Sequence, residues 1–467
     1  MKYVSTRGHA SSLTFTEALL TGLAPDGGLY LPTTLPQVDP KALAGWQQLG
    51  YGQLATEVFR QFAAGSTLNS PELPNLVQAS LKEFRHGAIA PLTQLDDGEN
   101  WLLELFYGPT LAFKDYALQV LGQLMGHLLK QTGEHITVLG ATSGDTGAAA
   151  IAGMAGVPNA QIFILHPKGN VSEVQRRQMT TCVADNIHNI AIEGSFDDCQ
   201  DLVKRGFRDE ELRQETGLTA INSINIARIV AQMVYYVQAS LRLGGTDQRP
   251  IHFCVPTGNF GNIFSAYLAK QLGAPIGHLV IASNRNDILP RSYRAGTMVL
   301  NRTVSTLSMS MDIQIPSNFE RLLYLLVDRD AETLCKLLQD FRAEGECVLP
   351  DAVVKRWHQD FLAYSVDDAL TKDTIAAVHR ENGVLIDPHT AVGVAAARQA
   401  RAEGLTGPLV SLACAHPAKF PKAVQAATGE SPALPEFMAD LFERQERLEV
   451  LPNSFEALKQ QIQSVAH

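Results

Sequence analysis

One lysine sits where its ordinary charge state is hard to keep. In Tyr107-Gly108-Pro109-Thr110-Leu111-Ala112-Phe113-Lys114-Asp115, Lys114 follows an apolar and aromatic run just where a helical pattern begins. Burial and a helix N-terminus both disfavour an ammonium, leaving a neutral amine able to act as a base or to form an imine. A surface lysine whose stem covers Phe113 is the plainer reading of that segment alone. A second pattern is Pro256-Thr257-Gly258-Asn259-Phe260-Gly261-Asn262, after an apolar run and before a helical one. Its two glycines let the backbone curl round an oxyanion, and the helix start offers unpaired N–H donors, as a phosphate cup requires. An ordinary glycine-rich turn fits the same residues. The spacing matches neither a Walker A loop nor G-x-G-x-x-G, so nucleotides gain little support.

Three further segments carry polar groups. Ala141-Thr142-Ser143-Gly144-Asp145-Thr146-Gly147 gathers hydroxyls, a carboxylate and backbone N–H groups at a helix start. That suits a substrate carboxylate, although Ser, Thr and Asp are also the preferred helix caps. Asn222-Ser223-Ile224-Asn225-Ile226-Ala227-Arg228 offers amides, a hydroxyl and a guanidinium for a second anion, with a cap plus a surface arginine as the alternative. Cys414-Ala415-His416-Pro417-Ala418-Lys419-Phe420 follows the last apolar run and gains interest only beside the others. An amine, a phosphate cup and a second anion site together fit pyridoxal phosphate with a phosphorylated or carboxylated amine substrate.

These segments need a frame. Strand patterns fall at 101–105, 136–140, 161–165, 187–192, 251–255, 278–282 and 409–413, with helical patterns at 116–131, 196–208 and 226–243 between them. Such alternation predicts an α/β fold around mostly parallel sheets, where ligands bind beyond the carboxyl ends of strands. Residues 331–364 read as a helical insertion without strong strand signals. The 467 residues suggest two to four domains at about 100–200 residues each. The expected division is 1–90 as an N-terminal part, 91–115 with 225–430 as a large cofactor-binding domain, 116–224 as a small mobile domain, and 431–467 as a helical extension. The charge of −10 argues against nucleic acid, and the six cysteines, lacking any paired spacing, read as reduced thiols of a cytoplasmic protein. No apolar run approaches the roughly 18 residues of a membrane span.

The ordered set of motifs resembles threonine synthase, a pyridoxal-phosphate enzyme of fold type II, over nearly the whole chain. The resemblance begins at Tyr3-Val4-Ser5-Thr6-Arg7-Gly8 and at Ala24-Pro25-Asp26-Gly27-Gly28-Leu29-Tyr30-Leu31-Pro32. It continues through 104–115 and 141–148 and ends at Ala415-His416-Pro417-Ala418-Lys419-Phe420. The long N-terminal part is more similar to the bacterial and fungal branch than to the plant branch. The resemblance implies a fold like that of the tryptophan synthase β subunit, with two open twisted sheets and an N-terminal α/β extension. It implies that Lys114 carries the cofactor as an imine and that Gly258, Asn259, Phe260, Gly261 and Asn262 hold its phosphate. Thr142, Ser143, Gly144 and Thr146 would take the substrate carboxylate. Asp145 falls where the wider superfamily has an Asn at the ring hydroxyl, and Cys414 where relatives present a Thr near the pyridine nitrogen. Asn222, Ser223 and Arg228 would bind the substrate's phosphate.

The implied reaction turns O-phospho-L-homoserine and water into L-threonine and phosphate by γ-elimination and β-addition of water, in a monomer or homodimer without a metal. A phospholyase resembling threonine synthase, or a serine/threonine dehydratase, would use the same machinery. A catalytically silent relative that binds metabolites or proteins is a further alternative, against which the retained Lys114, anion loops and Arg228 weigh.

Overall fold

The computed structural model describes residues 1–465 except Asp97, Asn170 and Asn222. Two sheets organise the chain. The larger has six strands in the order Phe361–Ser365, Ile276–Ser283, Ile251–Pro256, Leu409–Ala413, Asn100–Glu104 and Leu92–Gln94. All its pairings are parallel except that of the edge strand Leu92–Gln94. The central strands Ile251–Pro256 and Leu409–Ala413 are buried throughout, as strands covered on both faces by helices must be. The smaller sheet is wholly parallel, in the order Glu449–Pro452, Ile187–Glu193, Ala160–Pro167, Ile136–Ala141 and Leu218–Thr219.

Every strand expected from the sequence is present, shifted by two residues at most. Of the short strands the sequence did not suggest, two bear on the architecture. Phe361–Ser365 closes the insertion as an edge strand beside Ile276–Ser283, so the helices Ala331–Glu344 and Asp351–Asp360 belong to a crossover between them. It starts directly where the preceding helix stops, so no turn residue separates the two periodicities. The expected helical extension 431–467 ends in a helix, Phe455–Val465, but first adds the strand Glu449–Pro452 to the small sheet. That strand is mostly exposed on both faces and therefore shows no alternation. Residues 1–90 supply the strand pair Tyr3–Ser5 and Tyr30–Pro32 and four helices, one of which, Tyr51–Ala63, packs on Ile226–Arg242.

Helix Lys114–Thr132 joins the two bodies. It carries Lys114 at its first turn and crosses helix Asp145–Met154 at a contact made by glycines. A Cβ on Gly122 would collide with the Gly153 carbonyl, and one on Gly153 with the Leu118 carbonyl. The backbones therefore approach as closely as glycine alone permits. Gly122→Ala is expected to lower unfolding stability by about 2 kcal/mol or more, because a backbone carbonyl cannot rotate away. This outweighs the gain of roughly 0.5–1 kcal/mol in helix propensity. Urea denaturation checks it, and a variant as stable as the parent would contradict the close packing.

Candidate active site

The carboxyl ends of both sheets face a cleft of about 1710 Å³, larger than a pocket for one small ligand. Strand Asn100–Glu104 leads to Lys114, Ile136–Ala141 to residues 142–146, Ile251–Pro256 to residues 257–262, and Leu409–Ala413 to Cys414. Lys114, Thr142, Ser143, Asp145, Thr146, Ser223, Arg228, Gly258, Asn259, Phe260, Gly261, Asn262 and Cys414 all line this cleft. Gly144 lies between them, at φ 145° as the cap of helix Asp145–Met154. Asn222 lies outside the described residues.

Asp145 is the electrostatic centre. Lys419 Nζ lies 2.8 Å from its Oδ1 and Lys114 Nζ 3.8 Å from its Oδ2. Gln175 Nε2 donates to Oδ1 at 2.9 Å and Ser310 Oγ to Oδ2 at 3.3 Å. Burial alone would raise the Asp145 carboxyl, but the Lys419 and Lys114 ammonium groups override it and hold it well below the usual carboxylate range. Burial lowers the Lys114 amine from its ordinary value. Asp145 works against that shift, while Lys419 and Arg228 add to it.

The glycine loop has the makings of a phosphate cup. Phe260 adopts the left-handed conformation at φ 65°, which opens helix Gly261–Leu272 while its ring packs on Phe319 at 5.1 Å. Such backbone strain in a bulky residue gathers at ligand clamps. Asn262 Oδ1 accepts from Tyr235 and Tyr236, at 2.5 and 2.8 Å, whereas its Nδ2 is buried without a partner among the described residues. Arg228 is 3% exposed, and its Nε and Nη1 are likewise unpartnered. Burial pushes its guanidinium down to about 10. A buried donor without an acceptor costs roughly 1–3 kcal/mol, so these three donors, one on Asn262 and two on Arg228, are sites an anion would repair. Together with Lys114, they fit pyridoxal phosphate and a second anion.

Some expected donors are already engaged. Thr142 Oγ1 accepts from the Gly144 and Gly147 N–H groups, at 3.0 and 2.9 Å, so its hydroxyl shapes the loop. Ser143 and Thr146 remain half-exposed to the cleft. Asn225 caps helix Ile226–Arg242 and donates to the Leu19 carbonyl, so this amide is structural. The buried Cys414 thiol is pushed well up by burial, and its Sγ has the Leu412 carbonyl at 3.7 Å.

The sequence reading missed the residues that hold these loops in place. Asn318 Nδ2 donates to the carbonyls of Ser223 and Asn259, at 3.1 and 3.2 Å, and so ties the two anion loops together. Buried Arg321 in turn donates to Asn318 Oδ1 and to the carbonyls of Tyr30 and Ile224. His389 accepts from the Ser310 N–H at 3.3 Å and is oriented by Asp387 at 2.8 Å. Only Asp387-Pro388, a cap followed by proline, was a legible signal among these.

This fold and cleft define a pyridoxal-phosphate enzyme of fold type II, and residues 88–415 match the family model "Pyridoxal-phosphate dependent enzyme". Residues 2–81 match "Threonine synthase N terminus" and residues 390–462 "Threonine synthase, C-terminal". The chain belongs to the threonine synthase family. A threonine synthase of Pseudomonas aeruginosa is 51% identical, covering 97% of this chain and 96% of its own. The crystal structure of PLP-bound threonine synthase from Brucella melitensis superposes with a TM-score of 0.96 at 45% identity, covering 99% of both chains. The yeast threonine synthase structure gives 0.94 at 37%, covering 100% of this chain and 98% of that one. Among the described residues no helix is long and apolar enough to cross a membrane.

Asn318→Leu is expected to weaken cofactor affinity and raise the substrate KM together, each by roughly tenfold or more, since both loops lose their shared donor. Fluorescence titration of the cofactor and steady-state kinetics check this. A change confined to one of the two would contradict the bridging role.

Proposed function

We propose that this chain converts O-phospho-L-homoserine and water into L-threonine and phosphate, as a pyridoxal-phosphate-dependent carbon–oxygen lyase acting on a phosphate ester. One observation carries the reading: a buried guanidinium, unpartnered among the described residues, faces the same cleft as Lys114 and the glycine loop. A single phosphate-bearing cofactor leaves that charge unanswered, whereas a phosphorylated substrate satisfies it.

Pyridoxal phosphate, when bound, supplies the electron sink that makes protons next to the substrate amine removable. Backbone N–H groups from Gly258 to Asn262, with the free Asn262 Nδ2, hold its phosphate. The loop Thr142–Thr146 orients the substrate carboxylate at the start of helix Asp145–Met154. Lys114, already biased towards the neutral amine, moves protons at Cα and Cβ. Arg228, with Asn222 and Ser223, grips the phosphate and stabilises its charge as it leaves Cγ. Cγ then takes up a proton to become the methyl group, water adds its hydroxyl at Cβ, and a proton returns to Cα. The body formed by 116–224 is proposed to move over the substrate, which limits stray protonation of the reacting centre. A monomer or homodimer acting in the cytoplasm suits this role.

Product analysis with O-phospho-L-homoserine is the test. The wild type is expected to release threonine and phosphate in equal amounts. Arg228→Ala should keep the visible absorbance of the bound cofactor and lose roughly a hundredfold in kcat/KM, in line with about 2–5 kcal/mol for stripping one partner from a buried charged contact. Accumulation of a 2-oxo acid in place of threonine would overturn the reading in favour of a dehydratase or phospholyase.

A further inference from the structure

The Asp145 carboxylate has a second lysine, and the mechanism above gives it nothing to do. Lys419 is wholly buried and is not among the residues lining the cleft. Its Nζ is fixed from two sides, by Asp145 Oδ1 at 2.8 Å and by the Thr110 carbonyl at 2.6 Å. The Thr110 segment is itself pinned, because Asp115 accepts from the Thr110 N–H at 2.9 Å and from its hydroxyl at 2.6 Å. Asp145 Oδ1 is thus occupied by Lys419 and Gln175. Oδ2 receives Ser310, with Lys114 standing off at 3.8 Å. Two lysines share one carboxylate, but only one of them is close enough to hydrogen-bond to it.

We propose that Lys419 is a positioning residue for Lys114: its ammonium claims the near oxygen of Asp145 and the Thr110 carbonyl, leaving the Lys114 amine outside hydrogen-bonding distance and free to turn into the cleft as the nucleophile. The inference rests on the reading that Lys114 bears the cofactor. A carboxylate with a single lysine beside it would draw a proton onto that lysine and hold it there. A second, closer ammonium answers the carboxylate's charge and repels a proton from its neighbour, one of the ways an amine nucleophile is kept neutral. The charges around Lys114 agree with this. Burial lowers it most, Asp145 and Cys414 raise it, and Lys419 and Arg228 lower it further. His389, held by Asp387 at 2.8 Å, accepts from the N–H of Ser310, the residue whose hydroxyl donates to Asp145 Oδ2. Lys114 also sits in the first turn of its helix, where the backbone dipole disfavours a cation.

The test uses the full-length protein freed of cofactor. Covalent attachment of added pyridoxal phosphate is followed by visible absorbance across pH, and the modified lysine is mapped after borohydride reduction. Lys419→Met should move the profile to higher pH by about one unit, making attachment about tenfold slower at neutral pH. The label should still fall on Lys114, and Lys419→Arg, which keeps the charge, should restore most of the rate. An unmoved profile with the label on Lys114 would overturn the positioning role alone. A label on any other lysine would overturn the functional reading as well. Should Lys419→Met fail to fold, Lys419→Gln, which can still donate to the Thr110 carbonyl but lacks the charge, decides. A profile moved to higher pH with the label on Lys114 supports the proposal, and an unmoved one overturns it.

Discussion

A carboxylate withdrawn from water must be matched by charge and hydrogen bonds, and the position of Asp145 imposes that demand on the rest of the site. Its partners come from four separate segments: helix Lys114–Thr132, the turn Pro417–Lys419, helix Glu173–Thr180 and the turn Met309–Met311. Gln175 follows a strand of the small sheet, whereas Lys114 and Lys419 follow strands of the large one. Meeting the needs of one carboxylate therefore fixes where the carboxyl edges of two sheets come together. The glycine contact between Gly122 and Gly153 brings the two helices near enough for this to happen. Buried ion pairs often add little net stability, and their better use is to specify an arrangement. Here the arrangement places the proposed nucleophile Lys114 in one cleft with the glycine loop and Arg228.

Net charge and local chemistry point in opposite directions. The chain carries −10 overall, yet its cleft is the one proposed here to receive two phosphates and a carboxylate. At physiological ionic strength charges are screened beyond about 8 Å, so the global field says little about what binds at contact distance. Donors on Asn262 and Arg228, unpartnered among the described residues, act within hydrogen-bonding reach, where screening is weak.

Much of the α/β frame was legible because buried parallel strands read as short apolar runs. Phe361–Ser365 and Glu449–Pro452 were not, since one runs on directly from a helix and the other is largely exposed. Of the site, the residues presented by loops after strands could be read from type and spacing: Lys114, the 142–146 loop, Arg228 and the glycine loop. The groups that hold them could not. Asn318, Arg321, Gln175 and Lys419 act through contacts far apart in sequence, up to 309 residues for Lys419 with Thr110. No local pattern encodes such a meeting. Lys419 stood in view within a motif, but its use depends on which carboxylate folds against it.

The dependence on Asp145 is tested most directly by a double-mutant cycle in unfolding free energy, using Asp145→Asn, Lys419→Met and both together. If the buried pair organises the site, each single change strands one charge, and the double variant recovers much of the loss. The expected coupling is about 3 kcal/mol. Additive effects, with the double variant as unstable as the two losses summed, would contradict the account.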